Sequence, residues 1–263
     1  MTKTIGLISL SGWDDPTAQD LSHIFNDSIK VQTSMLAPIE GNPSLDSMAA
    51  CEDLLGKAAI DLAKNGCDIV ACVGTSLGWA GQPNTNAARL RAKRIARSAG
   101  VPLIMTGTAI IDMLGLLGSR RPALACTYHP SEWKTAWHHY VFNTGFDVTI
   151  AENFQDAGLA GPMSLPEALR NPKPALIERA IMKIAERAPE SDAIVVTGMG
   201  ARTFGQINQL EAAAGMPILG ADTALYGALA LAIDVPLAAG CLGALTPYLT
   251  PMNFSSEQSG QTG

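Results

Sequence analysis

The chain has 263 residues, 47% apolar and only 16% charged, with a formal net charge of −6. That is enough apolar matter for a sizeable core, as one large domain or two small ones. The acidic balance, with no Lys/Arg cluster among aromatics, argues against nucleic-acid binding. The opening MTKTIGLISLSGW holds a short apolar run but no long hydrophobic segment with a cleavage site. No window approaches the ~20 apolar residues of a membrane helix. A cytoplasmic protein with no membrane partner is therefore expected. Cys51, Cys67, Cys72, Cys126 and Cys241 are odd in number and contain no CxxC pair, which argues against disulfides and a cysteine zinc site.

In chain order, strands are expected over residues 4–9, 30–35, 68–73, 102–105, 122–127, 147–150, 193–197 and 217–219. These runs are largely continuous rather than alternating, as when helices cover both faces of a parallel sheet. Helices fit between them. Residues 44–65 carry Leu45, Met48, Leu54, Leu55, Ala58 and Leu62 at helical spacing. Residues 174–188 carry Leu176, Ile177, Ala180, Ile181 and Ile184 behind a proline suited to a first helical turn. A further helix is expected over 223–233. The alternation defines an α/β chain. Residues 152–173, rich in Gly, Pro and polar side chains, form either an ordinary surface connection or a flap over a cleft. The polar stretch 255–263 is expected to be disordered.

One segment occurs twice. Residues 68–84 read DIVACVGTSLGWAGQPN and residues 192–208 read DAIVVTGMGARTFGQIN, aligned without a gap at an offset of 124. The shared residues are Asp68/Asp192, Gly74/Gly198, Gly81/Gly205, Gln82/Gln206 and Asn84/Asn208. A weaker repeat pairs PLIMTGTA at 102–109 with PILGADTA at 217–224, at an offset of 115. Each copy of the first reads as strand, glycine turn and helix, so two similar halves are expected, with a ligand between the paired turns. The first half would span 1–118 plus a C-terminal segment of about 221–254, and the second 119–220.

Gly74-Thr75-Ser76 follows a hydrophobic strand and precedes a helix. Backbone N–H groups at such a junction favour anions, and the two hydroxyls would add donors for a carboxylate or a developing enolate. The alternative is a plain helix cap. Gly198-Met199-Gly200 holds the matching position in the second copy. Thr127-Tyr128-His129-Pro130 ends the strand that opens the second half. Tyr128 could hydrogen-bond an anionic substrate. His129 could be a general acid or base, although a solvated histidine before a proline is the simpler reading. By pseudo-symmetry Ser11 or Trp13 would line the pocket opposite Tyr128, while Asp14 and Asp15 read as turn and cap residues before Pro16. Asp222 either faces the site from a strand end or caps the 223–233 helix. His138 and His139 would point about 100° apart on a helix, so they make no metal pair. Neither another metal-ligand spacing nor a GxGxxG, Walker or GxSxG motif is present, and no cofactor or metal is expected.

The segments GLISLSGW, VGTSLGW, CTYHP and VVTGMG resemble the aspartate/glutamate racemase superfamily, in the branch of arylmalonate decarboxylase and maleate cis–trans isomerase. The resemblance covers nearly the whole chain. It implies two pseudo-symmetric Rossmann-like halves, each a four-stranded parallel sheet flanked by helices, with the active site between them. It also implies cofactor-free chemistry through a carbanion, enediolate or covalent intermediate. Gly74, Thr75, Ser76 and Tyr128 match pocket positions that hold a carboxylate or enediolate in the decarboxylase, and Met199-Gly200 would add N–H donors. Racemases and maleate isomerases place a cysteine on each glycine turn, and the decarboxylase keeps only the second. This chain has Gly74 and Gly198 there, and a glycine can neither protonate a carbanion nor attack an alkene.

Cys72 and Cys126 each lie two residues before a pocket position, about 6.5 Å along a strand, and are expected beneath the site as core. Tyr128, His129, Asp222, Thr75, Ser76 or a held water remain as proton carriers. Three functions are open on this reading. The first is a lyase or isomerase acting on a small carboxylate or carbonyl compound. The second is a hydrolase of a small amide, lactam, enamine or imide that uses an activated water. The third is a binding protein without turnover. Apolar helix surfaces and the habit of the superfamily also allow a homo-oligomer.

Overall fold

The duplicated sequence is a duplicated structure in the computed structural model, which describes residues 2–10, 14–36, 43–161, 167 and 173–249. Strands β1 (Lys3–Leu10), β2 (Ile29–Leu36), β3 (Ile69–Cys72) and β4 (Leu103–Met105) form a parallel sheet in the order β2-β1-β3-β4. Strands β5 (Pro122–Ala125), β6 (Ala151–Glu152), β7 (Ala193–Val196) and β8 (Ile218–Gly220) form a second parallel sheet in the equivalent order β6-β5-β7-β8. β3 and β7 are separated by the 124 residues of the strong repeat, and β4 and β8 by the 115 of the weaker one. Every residue of β3, β5 and β7 is buried. That burial on both faces is the physical cause of their continuous apolar runs.

The repeated aspartates have a structural task. Asp68 accepts from the Thr4 N–H at 2.8 Å, tying the start of β1 to β3. Asp192 does the same for β5, accepting from the N–H groups of Arg120 at 2.6 Å and Arg121 at 2.8 Å. The repeated glycines open turns: Gly74 and Gly198 have φ of +137° and +102°, values that side-chain-bearing residues rarely adopt.

The helices are α1 (Thr17–Ile24), α2 (Leu45–Ala49), α3 (Glu52–Lys64), α4 (Thr75–Trp79), α5 (Thr85–Ala99), α6 (Thr106–Leu116), α7 (Ser131–Asn143), α8 (Pro174–Arg187), α9 (Ile207–Ala214), α10 (Ala221–Ile233) and α11 (Thr246–Leu249). The single helix expected over 44–65 is broken between α2 and α3. Arg91, fully buried on α5, explains the break: it donates to the Ala49 carbonyl at 3.1 Å and to the Leu77 carbonyl at 3.2 Å, and pairs with Glu52 at 3.3 Å. A continuous helix would occupy the Ala49 carbonyl with an N–H one turn further on. The strand expected over 147–150 is displaced: β6 begins only at Ala151. Thr149 still donates to the Pro122 carbonyl at 3.1 Å, so this edge segment runs beside β5 before the regular ladder begins.

One core cluster contains residues of both sheets, including Ile5, Ile69, Leu124, Val195 and Leu219. Between the halves, Trp79 of α4 packs on Trp137 of α7 with ring centroids 5.3 Å apart, and Trp137 stacks on Tyr140 at 5.3 Å. The Tyr140 hydroxyl is 2.9 Å from that of Thr85 on α5. The helices that begin near the two candidate site segments, α4 after Gly74 and α7 after His129, are thereby locked together. Helix α10 packs on α6. Among the described residues no helix is long and apolar enough to cross a membrane. The stretch 255–263 and most of 162–172 lie outside the described residues.

Candidate active site

The first glycine turn presents buried hydroxyls. Gly74 ends the β3 segment, and Thr75 and Ser76, 3% and 7% exposed, open α4. The Thr75 hydroxyl oxygen is buried and has no hydrogen-bond partner among the described residues. An unpaired buried hydroxyl costs on the order of 1–3 kcal/mol. Such a group calls for an explanation, of which a bound ligand or water is one.

The second turn is organised around Tyr128. The Gly200 N–H donates to the Tyr128 hydroxyl oxygen at 3.2 Å. A Cβ on Gly198 would fall 2.5 Å from that oxygen and 2.6 Å from Cζ of the ring. A side chain at 198 would therefore carry a strained backbone angle and displace the Tyr128 ring. The approach of Tyr128 is set by Thr127, which sits at a left-handed φ of +41° and donates its hydroxyl to the Thr197 carbonyl at 2.8 Å. That bond over-determines a strained backbone and ties the end of β5 to the end of β7. Burial pushes the Tyr128 phenol up to about 12, with the Gly200 N–H opposing the rise, so it is protonated at neutral pH.

His129 is buried, at 5% exposure, and not solvated as the simpler sequence reading held. Its carbonyl accepts from the Asn153 amide at 2.9 Å, and its ring packs against Trp133 at 5.7 Å and edge-on to Tyr128 at 5.3 Å. Nδ1 lies 3.4 Å from the Thr197 hydroxyl. Desolvation lowers the imidazole to about 4, so it is neutral at pH 7. A cavity of about 100 Å³ opens beside these residues, lined in part by Thr127, Tyr128, His129, Asn153 and Phe154.

Asp222 is fully engaged. Its carboxylate accepts from the Thr203 N–H at 2.9 Å, the Thr203 hydroxyl at 2.7 Å, the Phe204 N–H at 2.9 Å and the Thr223 N–H of its own helix at 2.9 Å. It sits in the first turn of α10, behind the Gly220 N-cap, and fastens the chain beyond the second glycine turn to that helix. Met199 is buried beside Gly198. Cys72 and Cys126 are fully buried, and desolvation pushes both thiols up to about 12. Ser11 and Trp13 lie outside the described residues. His138 and His139 sit side by side on α7, and among the described residues no group of three His, Cys, Asp or Glu is placed to hold a metal ion.

Sequence reasoning missed Arg202. It donates to the Asp20 carboxylate of α1 and to the Tyr226 hydroxyl of α10, with Nε 3.6 Å from Asp222. Tyr226 in turn donates to Asp20 at 2.8 Å. Nη1 of Arg202 is buried without a partner among the described residues. Arg202 stands two residues beyond Gly200, so a buried charge cluster joins the second turn to the other half. No local signal announces this cluster, because Asp20 reads as an ordinary acid in the first turn of a helix.

Two duplicated parallel sheets, each ending in a glycine turn, one beside buried hydroxyls and the other beside a buried tyrosine, define the class of protein. Residues 26–245 match the arylmalonate decarboxylase family, and the chain belongs to it. The arylmalonate decarboxylase of Bordetella bronchiseptica is 29% identical over 165 residues, which are 62% of this chain and 64% of that protein. The match thus spans less than two thirds of that relative's length. Unliganded arylmalonate decarboxylase superimposes with a TM-score of 0.74 at 23% identity, over 91% of this chain and 97% of that one. The maleate isomerase Iso from Pseudomonas putida S16 gives 0.74 at 19% identity, over 93% and 100%. A mutant of the Nocardia farcinica maleate cis–trans isomerase with a covalently bound succinylcysteine intermediate gives 0.73 at 16% identity, over 94% and 99%. These structures share the fold of this chain.

Proposed function

We propose that this protein is a decarboxylase or isomerase of a small carboxylate or carbonyl compound, working without a cofactor through an enolate held between the two glycine turns. The observation that carries this reading is the buried Thr75 hydroxyl, a donor with no described partner at the head of the first turn. A developing enolate oxygen is stabilised most by donors already fixed in a site from which water is excluded. Thr75, Ser76 and the backbone N–H groups of the two turns are donors of that kind. The relatives named above are decarboxylases and isomerases, which supports the same class of chemistry.

The hydrolase alternative asks for a base that activates water. Asp222 has its carboxylate occupied by four donors, which favours the enolate reading over a water-activating one. The test is proton NMR in heavy water with phenylmalonate, maleate, amino acids, hydantoins and small cyclic amides. Deuterium at a carbon alpha to a carboxylate, or a shifted double bond, is the expected result. Ring opening or loss of ammonia without such labelling would replace this proposal with the hydrolase. Tight binding without turnover would replace it with a binding protein.

A further inference from the structure

We infer that the groove along β4, at the edge of the first sheet, is a second ligand site and takes an amphipathic monocarboxylate. The inference goes beyond the enolate reading and does not rest on it. The groove has a volume of about 610 Å³, against about 100 Å³ for the cavity beside Tyr128. Small-molecule sites span about 300–1,000 Å³. The lining includes no residue of either glycine turn.

The sheet edge explains the shape. β4 stands at the end of the order β2-β1-β3-β4. Helix α5 covers one face beside it, and α6 with α10 the other. Leu103 packs against the core that holds Ala92 and Ile95 of α5, and Ile104 against the core that holds Ile110 of α6 and Leu229 of α10. The walls of the groove carry alanines, Ala92 and Ala96 one turn apart on α5, Ala228 and Ala232 one turn apart on α10. Their short side chains leave the gap between the helices unfilled. Leu103 and Ile104 are consequently half-buried, whereas every residue of β3 is buried, and Leu231 in the lining is 51% exposed. Hydrocarbon that covers such a floor is stabilised by roughly 25 cal/mol per Å² of apolar surface removed from water.

The charges select the head group. Arg89 and Lys93 stand one turn apart on α5, and both line the groove. Like charges at that spacing repel. Asp112 of α6 bonds to Arg89, and Lys93 has no anionic partner among the described residues. The lining thus carries two cations against one anion, and a single negative charge completes it. A neutral amphiphile leaves Lys93 unpaired, and a dicarboxylate adds a second anion beside Asp112. A carboxylate between Arg89 and Lys93 would take charge-assisted hydrogen bonds from both, with its hydrocarbon along Leu103, Ile104 and Leu231. Aliphatic fatty acids and arylacetates share this chemistry.

The experiment is calorimetric titration of octanoate, phenylacetate and the neutral octanamide into wild type, Lys93→Glu and Leu231→Glu, with light scattering on each protein. Lys93 and Leu231 are both exposed, so neither change alters the core, and thermal melting checks this. At least one acid is expected to bind wild type with a Kd of about 1 mM or tighter. The tighter acid identifies the source, aliphatic or aryl. Lys93→Glu exchanges an attraction for a repulsion, so it should weaken the acids about tenfold and leave octanamide unchanged. Loss of fold would weaken all three alike. Leu231→Glu removes part of the apolar wall and should weaken all three about tenfold. Acid affinities within about twofold of wild type in both variants would put the ligand elsewhere and overturn the site, as would the absence of binding by either acid at about 10 mM. A wild-type dimer that Leu231→Glu turns into a monomer would give the groove to a second copy of the chain, and overturn it too. Each of these failures leaves the enolate reading untouched, because that reading is decided by labelling in heavy water.

Discussion

Arg202, two residues past the second glycine turn, donates to Asp20 on α1, so a helix of one half holds the site loop of the other. Both side chains are more than four-fifths buried, and Tyr226 and Asp222 complete the cluster. Removing one member of a buried ion pair typically costs ~3–5 kcal/mol because it leaves the partner charge unpaired. Arg202→Met should therefore destabilise the protein by about 3 kcal/mol, since partial exposure keeps the effect at the low end. Urea unfolding measures it, and a midpoint equal to wild type would show that the cluster holds nothing.

Thr75→Val separates stability from function. The unpaired buried hydroxyl is unfavourable for the empty fold, and valine keeps its shape. The variant should be as stable as wild type or up to about 1 kcal/mol more stable, since an unsatisfied buried group costs roughly 1–3 kcal/mol. Turnover should fall at least tenfold, with losses of about 100-fold seen when an oxyanion donor is removed. A variant that is both fully active and unchanged in stability would remove Thr75 from the site.

Asp222→Asn tests whether that carboxylate is a latch or a base. An amide can accept through only one of its two terminal atoms, so at least one of the four bonds from Thr203, Phe204 and Thr223 is lost. Each bond to a charged group contributes about 1.5–3 kcal/mol, and a drop of that size in thermal or urea stability is expected. A large fall in kcat at unchanged stability would instead assign Asp222 to the chemistry.

His129 gives a pH signature. Its ordinary value is 6.5 and burial lowers it to about 4. Below 6.5 the unfolded chain takes up a proton that the folded protein refuses until about pH 4, so stability is full above pH 6.5 and falls progressively through that window. Each tenfold difference in proton affinity between the folded and unfolded chain corresponds to about 1.4 kcal/mol, so the loss on acidification should reach roughly 2–3 kcal/mol. Unfolding midpoints at pH 7, 5.5 and 4.5 should show this slope in wild type and a shallower one in His129→Leu. Equal slopes would mean that His129 is hydrated in solution.

Seven of the eight strands, and helices α8 and α10, were legible from the amino acids because each depends on neighbours a few positions away. Central strands such as Ile69–Cys72 and Ala193–Val196 are buried on both faces, and that burial is written as an unbroken apolar run. The break at Ala50 was not legible, because its cause is Arg91, a buried cation on another helix. Nor was the burial of His129, which depends on Asn153 and Trp133 closing over it.

The candidate site divides along the same line. The repeat at an offset of 124 determined that two glycine turns would exist and that neither carries a thiol. Only the tertiary structure decided what surrounds those turns. Tyr128 reaches the space above Gly198 because a strained Thr127 is bonded to the Thr197 carbonyl. Arg202 meets Asp20 across 182 positions of sequence. Backbone bonding and side-chain periodicity act over short stretches of chain and leave a mark in them. A contact between two loops is set by how two sheets pack, and the residues on either side carry no trace of it until the chain is folded.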